Sequence, residues 1–168
     1  GMSKPKKPRN KQHRPKVART DVLALAIQGA ALLAKADQET MAEPVKLAVD
    51  RIAQGIATRD DWQDLFDVLN RLERFATMPT VMRNGASYIN TIQGVVVKIL
   101  DRQKSTGTKA LYPGELEDLR ALVDLWVELL STVTHREYFT AEERAQKKLQ
   151  TVLRAKHPAP GVRFVEAA

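Results

Sequence analysis

The stretch 116-LEDLRALVDLWVELLSTV-133 decides the fold. Leu116, Leu119, Val123, Trp126, Leu130 and Val133 recur at steps of three and four, which lines one face of an α-helix over about two and a half heptads. Such a stripe must be buried against something, either the rest of the chain or another copy of it. Tyr112-Pro113-Gly114 opens the segment, with proline suited to a first helical turn.

Working outward from this helix, the same period persists in both directions. Downstream, Thr134 and Glu137 have the spacing of a capping box. They introduce a helix from about His135 to Ala155 through Tyr138, Ala141 or Glu142, Ala145, Leu149, Val152 and Leu153. Neither glycine nor proline separates the two helices, so one continuous helix is an open alternative. Pro158 and Pro160 end regular structure. Upstream, Ser105-Thr106-Gly107 closes a helix that starts around Asn84 to Ala86 and uses Ile89, Ile92, Val96, Ile99 and Leu100. Val95-Val96-Val97 alone reads as strand, but the helical spacing on either side decides for helix.

Three further helices precede these. Thr58 and Asp61 form a capping box with Asp in place of the usual Glu or Gln, opening a helix through Trp62, Leu65, Phe66, Leu69, Leu72 and Ala76 with its exit marked by Pro79. Pro44 fits the first position of a helix carrying Val45, Ala48, Val49, Ile52 and Ile56, which ends near Gly55 to Thr58. The first helix, capped by Thr20 or Asp21, carries Leu23, Ile27, Ala30, Ala31 and Ala34, widened by Leu25, Leu32 and Leu33. It is apolar nearly all round, which suits the centre of a bundle or an oligomer interface. The reading is an all-α bundle of five to six helices, with no internal repeat and no convincing strand. Its expected organisation is a flexible basic arm over 1–20, one helical domain over 21–156 and an extended tail over 157–168.

Composition narrows the possible chemistry. The chain of 168 residues has no cysteine, which excludes disulfides, thiolate metal sites and cysteine nucleophiles. No stretch approaches the roughly 20 consecutive apolar residues of a membrane span, so no membrane partner is expected. No apolar run follows the basic N-terminus, so a secretory signal is not expected, and Gly1 ahead of Met2 reads as the remnant of a tag. The cytoplasm of the producing cell is the expected compartment.

Charge is distributed unevenly. The net charge of +7 is concentrated in residues 1–20, where Lys4, Lys6, Lys7, Arg9, Lys11, Arg14, Lys16 and Arg19 meet no acidic residue. Residues 21–168 carry 19 basic and 20 acidic side chains. Pro5, Pro8 and Pro15 remove backbone donors, and Val17 and Ala18 are the arm's only aliphatic residues. Too little surface can be buried there to offset ordering, so the arm is predicted to stay disordered until bound.

Eight unopposed cations fit phosphate contacts, which bind without regard to sequence and weaken with salt. All nine aromatic residues lie outside the arm, which argues against base stacking there and favours DNA over RNA or single strands. Arg14-Pro15-Lys16 resembles a minor-groove arm, but the glycine-arginine-proline core of an AT-hook is absent. A second basic run, Arg144, Lys147, Lys148, Arg154, Lys156 and Arg163, contains no acidic residue between 144 and 165. A solubilising tail and a solvated helix face are the plain alternative for both runs.

Catalytic signals are weak. His13, His135 and His157 form no pair at metal-ligand spacing, and the Glu-x-x-His pattern of bundle di-metal sites is absent. His135 with Glu142, two turns apart, is a poor substitute. Asp60, Asp64 and Asp67 share a helical face beside Asp61 and define the one concrete place for a divalent cation. The first-turn dipole and an Asp67–Arg71 pair explain them better. No phosphate-cradling glycine loop occurs, and Ser87, Ser105 and Ser131 have no nucleophile-elbow context. The expectation is a non-enzymatic protein without a cofactor.

Lys11-Gln12-His13-Arg14-Pro15, Gly107-Thr108-Lys109-Ala110-Leu111 leading to Glu115-Leu116, and Val133-Thr134-His135-Arg136-Glu137-Tyr138 leading to Ala141-Glu142-Glu143 resemble small helical proteins of bacterial phages and prophages. The resemblance spans most of the chain. It implies phage biology, with a DNA-associated or virion-associated accessory role, and no catalytic residues. Two functions follow as expectations. One is nucleic-acid binding by the arm, supported by Arg144, Lys147, Lys148 and Arg154. The other is an adaptor that forms a homo-oligomer, or docks on a phage or host protein, through the first helix or the Leu116–Val133 seam.

Overall fold

The structure, a computed structural model, describes Ser3 and residues 28–156. Five helices follow in order: α1 (Lys35–Gln54), α2 (Arg59–Phe75), α3 (Ala86–Thr106), α4 (Pro113–Thr132) and α5 (His135–Lys156). A single helical turn at 28–30 precedes them, and no named strand occurs among the described residues. The fold is all-α. The expected arm over 1–20, the tail over 157–168 and most of the first helix lie outside the described residues.

Packing follows from which faces are apolar. α1 lies against α2 and α4, and α3 lies against α2 and α4, so the first four helices close a ring around one core. α5 is laid on α2 from outside this ring. Val45, Val49 and Ile52 of α1, Leu65, Leu69 and Leu72 of α2, Ile89, Ile92, Val96 and Ile99 of α3, and Leu119, Leu122, Trp126 and Leu130 of α4 fill the interior. Trp126 and Phe75 are its largest members, with ring centroids 6.3 Å apart, and Tyr138 of α5 reaches Phe75 at 6.4 Å. The buried indole donates to the Met41 carbonyl at 3.3 Å, so its one polar atom is satisfied inside.

Several boundaries match the local chemistry. At α2 the Thr58 hydroxyl accepts from the Asp61 N–H, while the Thr58 N–H donates to the Asp61 carboxylate at 2.8 Å. The analogous box at α5 joins Thr134 and Glu137 at 2.9 and 3.2 Å. Pro113 begins α4, and Glu115 accepts from the Tyr112 N–H at 2.7 Å. Gly107 closes α3 at φ 71°, a left-handed cap that glycine adopts without Cβ strain.

Three expectations are corrected. α1 starts at Lys35, not at Pro44, and runs through the proline. An interior proline removes one helical hydrogen bond and costs about 3 kcal/mol. Burial of Ala42 and Val45 on either side of it, together with Ala48, Val49 and Ile52, offsets that loss. The first helix does not extend to Ala34, because helical geometry stops at Ala30 and the next residues pair with the α4–α5 junction. There the His135 N–H donates to the Ala31 carbonyl at 2.9 Å, and Leu32 bridges Thr134 in antiparallel sense. The same junction separates α4 from α5 where the Thr134 cap places the start of α5, with Val133 extended at ψ 146°. Finally, the Leu116–Val133 face is not a free seam: Leu119, Val123, Trp126, Leu130 and Val133 are buried within this chain and Leu116 is half-buried.

Candidate nucleic-acid interface

The eight arm residues, Lys4, Lys6, Lys7, Arg9, Lys11, Arg14, Lys16 and Arg19, lie outside the described residues. The other four candidates, Arg144, Lys147, Lys148 and Arg154, stand together on α5. At 100° per residue they span about a third of the helix circumference over its last turns. All four are exposed.

Their surroundings divide them into two pairs. Arg144 and Lys148 face α2 and its exit: Arg144 donates to the Thr77 hydroxyl at 3.3 Å, and Lys148 forms an ion pair with Glu73. Glu73 is a shared acceptor that also takes Arg74 and the Gln93 amide. Burial pushes its carboxyl up, but the hydrogen bonds from Lys148 and Gln93 and the charges of Lys148 and Arg74 outweigh this and hold it below the ordinary range. Lys148 is thus partly neutralised and serves to hold α5 on α2. Lys147 reaches Glu143 at 3.4 Å one turn away, in a pair so exposed that it contributes little and yields readily to another anion. Arg154 has no ion pair among the described residues. Lys147 and Arg154, seven residues apart on one line of the helix, are the least encumbered cations of the four.

The electrostatics of the helices reinforce that placement. Residues 28–156 carry eighteen basic and eighteen acidic side chains and are neutral as a whole. α4 holds five acidic residues and one basic, whereas α5 holds six basic and three acidic. A polyanion is therefore attracted to the α5 side of the body and repelled from the α4 side.

The acidic face of α2 gives a different result. Asp61 is buried and consumed by its cap and by Arg51 at 2.9 Å. The backbone N–H of Thr58 lowers its pKa first; burial opposes this, and the Arg51 and Thr58 side chains lower it further. Asp64 is pushed up by burial and by the charges of Asp67, Asp61 and Asp60. The expected Asp67–Arg71 ion pair does not form. Arg71 donates instead to the Asp67 carbonyl at 3.3 Å and sits 3.7 Å from Glu142 of α5, while Asp67 accepts from Gln63. Asp64, Asp67 and Arg71 edge a cleft of about 190 Å³ beside Trp126 and Tyr138. Among the described residues no group of three His, Cys, Asp or Glu side chains converges as a metal site, His135 and Glu142 included. Nor is any helix among them long and apolar enough to cross a membrane.

Two features of this surface are invisible in sequence. Glu73 lies 75 residues from Lys148 and has no motif around it, so its anchoring role emerges only when α5 packs on α2. The second is that α5 outruns the body. Among the described residues Tyr138 and Ala141 are its only buried side chains, and Leu149, Val152 and Leu153 are exposed although they continue the same inner face. No protein-family model, curated protein or solved structure matches this chain.

Proposed function

We propose that this protein is a non-enzymatic, nucleic-acid-binding accessory factor of phage or prophage origin, acting in the bacterial cytoplasm or on the virion. Its basic arm grips the phosphate backbone, and the outer line of α5, Lys147 and Arg154, adds contacts from the folded body. The observation that carries this reading is charge segregation, with eight cations and no acid in residues 1–20 against a neutral body. A uniformly basic chain would be merely soluble; a cationic segment attached to a neutral bundle localises its attraction at one end. Duplex DNA is favoured because the arm offers no aromatic platform for unpaired bases.

Fluorescence anisotropy of labelled duplex DNA, single-stranded DNA and RNA, titrated across a salt series, tests it. If the arm engages about four to eight phosphates, the duplex log–log slope is roughly −4 to −7 and largely vanishes in residues 21–168. Lys147→Glu with Arg154→Glu should flatten the slope by about one to two on the same scale. Absence of binding by the full chain at low salt rejects the proposal.

The exposed Leu149, Val152 and Leu153 favour a second reading, an adaptor that docks on another copy or on a phage or host protein through the end of α5. Light scattering separates the two, since an adaptor of this kind that self-associates loses mass on Leu149→Ser with Leu153→Ser, while nucleic-acid affinity is unchanged.

A further inference from the structure

The end of α2, the start of α3 and the middle of α5 enclose a cleft of about 350 Å³. Arg74 and Thr77 line it from α2 and its exit, Asn90 and Gln93 from α3, and Lys148 from α5, with the Glu73 carboxylate among them. Arg74 and Lys148 both donate to one oxygen of Glu73, Oε1, and the Gln93 amide donates to Oε2 at 3.1 Å. Arg144 stands at the rim, where it donates to the Thr77 hydroxyl at 3.3 Å and has no acidic partner among the described residues. The Asn90 amide makes no hydrogen bond among them. Three cations are thus gathered around one carboxylate, which leaves two positive charges uncompensated. The first turn of α3 forms one wall and has neither a side-chain cap nor an acidic residue, so the helix dipole adds to this surplus. A carboxylate that draws an arginine, a lysine and an amide onto itself shows what these donors suit: a compact anion with several oxygens.

We propose that this cleft binds a phosphomonoester, and that Glu73 occupies the donors until the phosphate takes them. A phosphomonoester carries close to two negative charges at neutral pH, which matches the surplus, whereas a phosphodiester within a strand carries one. A cleft walled by three helices also admits a terminal group, while an internal phosphate is flanked by sugar on both sides. At about 30 Å³ per water the cleft has room for roughly ten, enough for a phosphate and the first atoms of its ester. Glu73 then sets a threshold, because only an anion with more charge than a carboxylate displaces it. The strand end as the source of the phosphate rests on the nucleic-acid reading; the site does not, since a free nucleotide presents the same group.

The side-chain amide resonances of Asn90 and Gln93, followed by NMR in the full-length protein, separate the cleft from phosphate contacts elsewhere on the chain. Titration with inorganic phosphate, at an ionic strength held constant with sodium chloride, should shift both in a saturable way. Glu73→Gln removes the competing charge but keeps an oxygen for Lys148, and should tighten phosphate by about tenfold. Arg74→Gln should weaken it by about tenfold. A purely structural ion pair gives a different pattern: Glu73→Gln lowers stability and the amides ignore phosphate. No saturable shift in the unaltered protein overturns the site, and that result needs no variant to fold. The source is read from the same amides with 5′-phosphorylated duplex, 5′-hydroxyl duplex and a nucleoside monophosphate. Shifts with the phosphorylated duplex and none with the hydroxyl one are expected. Equal shifts with both duplexes would overturn the preference for a monoester, and shifts with the monophosphate alone would overturn the strand end as the source. Saturation by inorganic phosphate in a protein that fails to bind duplex DNA at low salt would remove the nucleic-acid reading and leave the cleft standing.

Discussion

α4 and α5 are of nearly equal length, 20 and 22 residues, and both repeat apolar side chains at three and four. α4 buries Glu115, Leu119, Leu122, Val123, Trp126, Leu129 and Leu130, whereas α5 buries only Tyr138 and Ala141. The difference lies in neighbours. α4 is flanked by α1 and α3 within the ring, while α5 rests on α2 alone and extends past its end. A hydrophobic period reports the capacity for burial, and only a partner converts it into stability. The two helices also have opposite charge, so the one that builds the core repels polyanions and the one that lies outside attracts them.

The largest break in this comparison should come from Trp126→Ala. Removing a fully packed indole is expected to cost about 3–5 kcal/mol, read as a lower denaturant midpoint with unchanged slope. A cost below about 1 kcal/mol would show that the ring does not close around α4 as described.

Glu115→Gln should come next and should depend on pH. Glu115 and Arg102 leave only 12% and 13% of their side chains exposed, with one contact at 2.8 Å, and the guanidinium carbon lies 3.6 Å above the Tyr112 ring. The hydrogen bond from Arg102 lowers the Glu115 pKa first; burial opposes it, and the Tyr112 N–H with the Arg102 and Lys98 charges adds to the lowering. Below neutrality the unfolded carboxyl therefore takes up its proton before the folded one. Stability from this group is full above the ordinary Glu range and drains as pH falls toward the folded value. Glu115→Gln should lower stability at pH 7 and flatten the acid limb of a stability–pH curve. An equal acid limb in both proteins would remove Glu115 as its source. Substituting the exposed pair on α5, Lys147 with Glu143, should change stability at pH 7 little.

A smaller effect, about 1 kcal/mol, is expected for Thr134→Ala, which deletes the α5 cap while leaving the core untouched. Thermal unfolding followed at 222 nm would register it, and an unchanged midpoint would indicate that Leu32 and Ala31 alone hold the junction. The smallest should be Leu153→Ser, within about 0.5 kcal/mol in dilute protein because the residue is already 46% exposed. A loss approaching that of Trp126→Ala would mean that the end of α5 is covered after all.

Legibility from sequence followed the range of the interaction. The caps at Thr58 and Thr134, the start at Pro113 and the stop at Gly107 are settled within four residues, and the structure has each where the sequence puts it. Pro44 misled because its penalty is local and modest, while the burial that overrides it comes from α2 and α4. The α4–α5 break was announced by the Thr134 cap, but the backbone pairing of that junction with residues a hundred positions earlier was hidden. At the candidate interface, the cationic residues of α5 were visible as composition, but which are occupied was not. Glu73 ties down Lys148, and Lys147 and Arg154 stay turned outward, only because α5 docks on α2 in this register.

By itself the sequence determined the helical class, the termini of most helices and the segregation of positive charge toward the N-terminus, because periodicity, capping and charge are properties of neighbours along the chain. The tertiary structure alone decided that α4 is central and α5 peripheral, that the acidic face of α2 is used for capping and cross-helix pairing, and that the apolar end of α5 is left exposed. Those outcomes depend on which faces compete for one core, and four helices fill most of it, leaving α5 to add Tyr138 and Ala141 at its edge.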